Sequence, residues 1–176
     1  MRQIVSILIG MLMLTIFCGS LRAGGRAKTR VDFSKAAVVL PFESTVTVAA
    51  ASGLPEATRT AVIAYMKEAG MFSAVLTPEE ARDNDTATLV EISAKLVDFA
   101  PGNMAARVLV GVGNGRAHAG YDFTIKDSAT GNVIWEQRIK GVASFWSNSA
   151  TSAAQRVELP ERVAKGLVST LKQAKY

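Results

Sequence analysis

The chain has 176 residues, of which 49% are apolar and 20% charged, and this length allows one domain whose core needs no disulfide or structural metal. Its single cysteine, Cys18, lies near the N-terminus, so the rest of the chain has no thiol for a disulfide or a cysteine-ligated metal. The formal net charge of +5 is modest, and the basic residues are scattered, which argues against nucleic acid as a partner.

The first 23 residues have the layout of a secretory signal peptide. Arg2 supplies a basic start, an apolar run occupies residues 4–17, and small residues end the segment. The run is shorter than the roughly 20 residues that a membrane-spanning helix needs. We therefore expect cleavage after Ala23 and a protein that is periplasmic or exported. Lipidation of Cys18, with attachment to the outer membrane, is the alternative, although the bulky Phe17 fits a lipoprotein signal poorly.

A polar segment over residues 24–32 is interpreted as a tether, because its glycines and basic residues have little to bury. The fold itself is predicted to occupy residues 33–176 as one domain. Its first element is the apolar run of residues 35–42, which is typical of a strand that is buried on both faces and leaves the sheet at Pro41.

A helix is predicted over residues 53–70. Pro55 suits the first helical turn, apolar residues recur at helical spacing, and Gly70 supplies a left-handed end. A short strand comes next, and after it a single turn in which Thr77 is the cap and Glu80 reaches back to it.

The second half of the chain contains mostly strand patterns. Residues 88–99 alternate apolar and polar side chains with a period of two, as a half-buried strand does. Residues 121–141 have the pattern of a hairpin in which Asp122 faces Arg138 across the sheet. A second amphipathic helix begins near Pro160 and runs to the end of the chain.

Gly111, Gly113 and Gly115 stand at alternate positions and raise the question of a phosphate-binding loop. A dinucleotide site needs a helix directly after its glycines, whereas residues 116–126 alternate again and predict a strand. We therefore interpret Arg107 and the three glycines as a structural motif, a glycine-lined strand or bend whose missing side chains permit a close approach.

The order of these elements is that of an α+β fold. Each predicted helix has one apolar face, which must be buried against a sheet. Each strand whose residues alternate between apolar and polar has one face in the core and one face exposed to water. We expect a two-layer α/β sandwich, with a mixed or largely antiparallel sheet of about five strands and two helices on one face.

Four short motifs carry a family resemblance: VVLPF at residues 38–42, LVEISAKLVDFAPGN at residues 89–103, the glycine stretch from Arg107, and the Asp-x-x-Thr-Gly turn from Asp127. Together they resemble the bacterial domain-of-unknown-function family 4410, exported proteins that often carry a lipid anchor. The element order is also similar to the N-terminal domain of TolB and to curli-secretion lipoproteins. The resemblance implies a location in the cell envelope and a sandwich fold, and it does not indicate any particular activity.

The candidates for chemistry are few. His118 is the only histidine and no Gly-x-Ser-x-Gly segment supplies a nucleophile, so we expect no catalytic triad. One histidine and no cysteine in the mature chain also predict no metal site and no cofactor. Four carboxylates that fall on outward strand positions leave open a hydrolase acting on glycans: Glu91, Asp98, Asp122 and Glu136.

Phe145 and Trp146 stand in an otherwise serine- and alanine-rich segment. An exposed aromatic pair is typical of a contact surface, and burial over the sheet edge or under the last helix is the alternative. Our hypothesis is a non-catalytic cell-envelope protein, an accessory or assembly factor that binds another envelope protein through a sheet edge, the glycine strand or the Phe145–Trp146 loop. The alternatives are an envelope hydrolase or carbohydrate-active protein using the surface carboxylates, and a small-ligand carrier with an apolar pocket between helices and sheet. The sequence leaves the oligomeric state open.

Overall fold

Two helices pack on one face of a mixed sheet in the part of the chain that the computed structural model describes, residues 31–102, 115–144 and 152–174. The predicted signal peptide and the tether up to residue 30 lie outside these ranges. The elements, in chain order, are β1 (Ala36–Val39), β2 (Glu43–Ser44), α1 (Leu54–Ala69), β3 (Val75–Leu76), β4 (Leu89–Ala100), β5 (His118–Asp127), β6 (Val133–Val142) and α2 (Ser152–Ala174).

The sheet has a parallel half and an antiparallel half. Its strand order is β3-β1-β4-β5-β6, with β3, β1 and β4 parallel to one another and β4, β5 and β6 antiparallel. The two-residue β2 pairs with β4 in line with β1 and is the strand that the sequence did not predict. The predicted fold class, an α/β sandwich with a mixed sheet and two helices, is confirmed.

Strand β1 is buried on both faces, as its continuous apolar sequence predicted. Ala37 and Val39 face the main core under the helices, where both are fully buried. Val38 points the other way into a small cluster with Ala81 and Leu89. The main core begins before the predicted domain start, because Val31 is only 3% exposed.

Helix α1 has the boundaries that its sequence signals indicate. Pro55 lies in the first turn, and Gly70 ends the helix with φ 56° while its N–H donates to the carbonyl of Lys67. The predicted capped turn also forms: Glu80 Oε2 accepts the Thr77 N–H at 2.7 Å, and Thr77 Oγ1 accepts the Glu80 N–H at 3.3 Å.

Helix α2 begins eight residues before Pro160, so the prediction that the helix starts near this proline is wrong. Proline cannot donate to the carbonyl four residues earlier, and sequence rules therefore place it in a first turn. Here the residues directly before it make tertiary contacts, since Leu159 is fully buried and Glu158 Oε1 accepts the N–H of Ser144, two residues after β6. Over the described residues, no helix combines the length and the apolar character that crossing a membrane requires.

One buried polar pair joins the helical layer to the sheet. Tyr121 of β5 and Thr58 of α1 are 0% and 1% exposed, and their hydroxyl oxygens lie 2.9 Å apart. Phe42 and Phe123 pack around the Tyr121 ring. Burial raises the pKa of Tyr121 to about 12, although the hydrogen bond with Thr58 opposes this change, so the phenol stays protonated and satisfied in the core.

Candidate functional site

The predicted contact residues Phe145 and Trp146 lie outside the described residues, and their role stays a prediction. The glycine motif reaches the described part of the chain only at Gly115, which has φ 70° and precedes β5 by three residues. A strand comes after this glycine, which confirms the expectation for residues 116–126 and differs from the helix of a dinucleotide loop. Arg107, Gly111 and Gly113 also lie outside the described residues.

The face of the sheet opposite the helices, which we call the open face, carries paired charges. Arg138 of β6 donates to both carboxylate oxygens of Asp122 on β5, from Nε at 2.6 Å and from Nη2 at 2.8 Å. The two residues are register partners, as the sequence predicted. The hydrogen bond from Arg138 and its charge lower the pKa of Asp122 below the usual value, so the carboxylate stays ionised.

A second charged group on the open face joins three strands. The Asp98 carboxylate of β4 lies 3.3 Å from Nε2 of His118 on β5 and 3.3 Å from Nζ of Lys140 on β6. Burial alone raises the pKa of Asp98, but the hydrogen bond from Lys140 and the charge of His118 outweigh it, and the pKa is lowered overall. His118 is therefore held by a carboxylate from β4, a partner that the sequence did not indicate.

The cluster of Asp98, His118 and Lys140 depends on the absence of a side chain at Gly120. Gly120 is the register partner of Asp98 between β4 and β5, and a Cβ at this position would lie 3.1 Å from the Asp98 Cβ. The missing side chain gives the Asp98 carboxylate room beside its two basic partners.

The four carboxylates considered for glycan hydrolysis all lie on the open face, but in different rows. Glu91 stands opposite Lys126, and Glu136 opposite Thr124. A glycosidase needs one carboxyl held protonated to act as the acid. Asp98 and Asp122 have lowered pKa values and cationic partners instead. This arrangement is typical of a charge-paired surface.

Strand β6 forms one edge of the sheet, and its backbone polarity can be assigned. Among the described residues it has a strand neighbour, β5, on one side only. The Ala143 N–H donates to the Ala117 carbonyl at 2.9 Å in the same register, so over residues 135–143 the odd-numbered residues direct their N–H and C=O groups toward β5, while an irregularity shifts the register before residue 135. The even-numbered residues direct theirs toward the outer edge, and among these are Glu136, Arg138 and Lys140.

A groove of about 640 Å³ lies away from this edge, between the segment before β1 and the segment after α1. Phe33 and Phe72, whose ring centroids are 5.1 Å apart, are among its lining residues. The space between helices and sheet, where a ligand carrier would have its pocket, is occupied by large side chains that are fully buried, including Tyr121, Phe123 and Leu167. The described core is thus filled by side chains where such a pocket would lie.

No protein-family model matches the sequence, so the likeness to family 4410 remains a resemblance. No curated protein matches it either. Solved structures do match. The PelC dodecamer from Paraburkholderia phytofirmans is 11% identical with a TM-score of 0.51, and the alignment covers 76% of this chain and 88% of that chain.

Two further structures share the fold. Protein XCC0632 from Xanthomonas campestris, of family DUF330, is 12% identical with a TM-score of 0.52, over 84% of this chain and 90% of that one. Protein CT253 from Chlamydia trachomatis is 10% identical with a TM-score of 0.53, over 81% and 98% of the two chains. At these sequence identities the similarity shows that this chain and the three solved structures share a fold.

Proposed function

We propose that this protein is an exported, non-catalytic component of the bacterial cell envelope that acts by binding another envelope component. The observation that carries the proposal is the outer edge of β6, a ten-residue strand with a strand neighbour on one side among the described residues. Such an edge presents backbone donors and acceptors that another chain can pair with. The open face supports binding over catalysis, because Asp98 and Asp122 are held ionised by cationic partners.

Two further lines support this proposal. The signal-peptide pattern of the first 23 residues and the resemblance to family 4410 favour export to the envelope, with outer-membrane attachment if Cys18 is lipidated. The fold is shared with PelC, whose structure is a dodecamer, which favours assembly as a use of this architecture.

Crosslinking in native cells, with identification of the attached molecules, tests the proposal. Alanine substitution of both Phe145 and Trp146 should reduce capture of the envelope partner at least severalfold, because aromatic residues contribute most to contact surfaces. Val48→Ala, which trims an exposed apolar residue elsewhere, is the control and should leave capture unchanged.

Two results would contradict the proposal. One is the absence of any crosslinked envelope component in cells that produce the protein. The other is hydrolysis of cell-wall or glycan substrates that is lost in Asp122→Asn or Glu136→Gln, since that would make the open face catalytic. Unchanged capture by the Phe145/Trp146 variant would instead exclude these two residues as the contact.

A further inference from the structure

The charges on the outer edge of β6 are complementary to those of the same edge in a second copy. We infer that β6 pairs antiparallel with β6 of a second copy of this chain, about a two-fold axis at Gln137. The inference rests on the proposed function and deepens it by naming the component that occupies the edge. Its basis is the order of three side chains along the strand, Glu136, Arg138 and Lys140, whose backbone groups all point to that edge.

The backbone restricts the possible registers. Ladder hydrogen bonds between two β6 edges need outward-pointing residues opposite one another, so within the regular stretch of residues 135–142 even-numbered residues must pair with even-numbered residues. In an antiparallel pair related by a two-fold axis, this places the axis on a residue of the strand. An axis between two residues would set an outward N–H against a backbone group that already bonds to β5.

The charges then distinguish the registers that remain. With the axis at Gln137, Glu136 of each copy lies opposite Arg138 of the other, which gives two attractive pairs across the interface. An axis at Glu136 sets that carboxylate against its own copy, and an axis at Arg138 does the same with two guanidinium groups. Charged edge strands are a common protection against indiscriminate pairing, and here the register at Gln137 gives attractive pairs with no like charges opposite one another.

The helix side of the strand is consistent with the same register. The axis at Gln137 places Trp135 of one copy opposite Ile139 of the other. Trp135 is only partly buried within one protomer although it packs against the core, and an aromatic residue opposite a β-branched residue stabilises antiparallel strands. Both faces of β6 thus favour one self-complementary arrangement that extends the sheet of each protomer into the other.

Charge exchange tests this directly on the protein expressed from the full chain and purified. Sedimentation equilibrium should show a dimer for the wild type. Glu136→Lys makes the edge basic and should weaken dimerisation about tenfold or more, because it sets like charges opposite one another. Arg138→Glu combined with Asp122→Asn makes the edge acidic and should weaken dimerisation to a similar degree. The Asp122→Asn change is included because the glutamate introduced at position 138 would otherwise lie against the Asp122 carboxylate of the same protomer.

An equimolar mixture of the basic-edge and acidic-edge variants should restore the dimer, because each edge then meets its opposite. Restoration by mixing is not expected if the substitutions act by disturbing the fold. Glu68→Lys on α1 is the matched control and should dimerise as the wild type does, whereas Asp122→Asn alone leaves Arg138 without its anion within the protomer and should dimerise at least as well as the wild type. A monomeric wild type at 100 μM, or a mixture that stays monomeric while its components are folded by circular dichroism, would overturn the inference.

A cysteine at the axis provides a second measurement that does not depend on charge. In this register residue 137 lies opposite its own copy at a non-hydrogen-bonded position, where Cβ atoms approach closely enough for a disulfide. Gln137→Cys should form a covalent dimer under mild oxidation, and Glu68→Cys should not. Equal crosslinking of the two variants would overturn the register. Crosslinked envelope partners in cells together with a monomeric purified protein would overturn the self-pairing and leave the proposed function standing.

Discussion

Asp127 at the end of β5 connects two distant parts of the chain. Its carboxylate accepts a hydrogen bond from Lys35 Nζ at 2.5 Å, just before β1, and two from the N–H and hydroxyl of Thr130 in the β5–β6 turn at 3.0 Å each. The hydrogen bond from Lys35 and those from Thr130 lower the pKa of Asp127 from 3.8 to about 2. The side chain is 18% exposed, so this pairing is sheltered from solvent on most sides.

The lowered pKa predicts an acid-dependent contribution to folding. A carboxyl whose pKa is lower in the folded state stabilises the fold above its unfolded pKa, near 4, and loses that contribution as the pH falls through about 2. Asp127→Asn should therefore unfold at a lower urea concentration than the wild type at pH 7. This difference in urea midpoint should disappear between pH 4 and pH 2. Asp83→Asn, at an exposed aspartate, is the control. A difference that is constant from pH 7 to pH 2 would contradict this assignment.

Sequence reasoning predicted polar contacts whose partners are close in the chain. The capping pair of Thr77 and Glu80 is three residues apart, and the Asp122–Arg138 pair lies within one hairpin. The contact between Asp98 and His118 escaped prediction because it depends on how β4 and β5 align. A bulge between Leu96 and Asp98 shifts that alignment by one residue, and alternation alone does not locate a bulge.

At the scale of elements, the approach of α2 to β6 depends on a glycine. A Cβ on Gly141 would lie 2.7 Å from Val163 Cγ2 and 3.0 Å from both the Leu159 carbonyl oxygen and the Val163 nitrogen. Two of these three atoms belong to the helix backbone, so a side chain at 141 would displace the whole helix. Close approach through a missing side chain was expected for the glycine motif near Gly115, and the described structure shows it clearly at Gly141.

Gly141→Ala should therefore lower the free energy of unfolding by about 1–3 kcal/mol, the usual cost of inserting a methyl group into close packing. Gly120→Ala in the neighbouring strand is the comparison: its Cβ would press on the Asp98 side chain at 3.1 Å but on no backbone atom, so it should cost less stability than Gly141→Ala. Urea unfolding measures both. Equal stability of Gly141→Ala and the wild type would mean that α2 can move away from β6 at little cost.

The existence of most elements could be predicted from periodicity, whereas the start of α2 could not. Alternation predicted β4 and β5, and the apolar stripe predicted α1 from the first turn to Gly70. Just before Pro160, Leu159 is buried and Glu158 accepts a hydrogen bond from the N–H of Ser144, two residues after β6. These contacts come from residues distant in sequence, and a rule based on local propensity does not contain them.

At the scale of the whole molecule, β6 is the element that we propose meets another chain. One face of the sheet is covered by helices, the other carries charges that neutralise one another, and the parallel side ends in a strand of two residues. The outer edge of β6 is the long backbone surface left for pairing in the described part of the chain. The fold class could be predicted from the sequence, but this edge could not, because strand order is set by long-range pairing.

Residue-resolved amide hydrogen exchange of β6 tests this role most directly. In the isolated protomer, the N–H groups of Gln137 and Ile139 bond to β5 and should exchange slowly, whereas those of Arg138 and Lys140 point to the outer edge and should exchange fast. As the protein concentration or the amount of partner is raised, Arg138 and Lys140 should become protected to a similar degree. Binding or dimerisation that leaves both amides exchanging fast would contradict pairing at this edge.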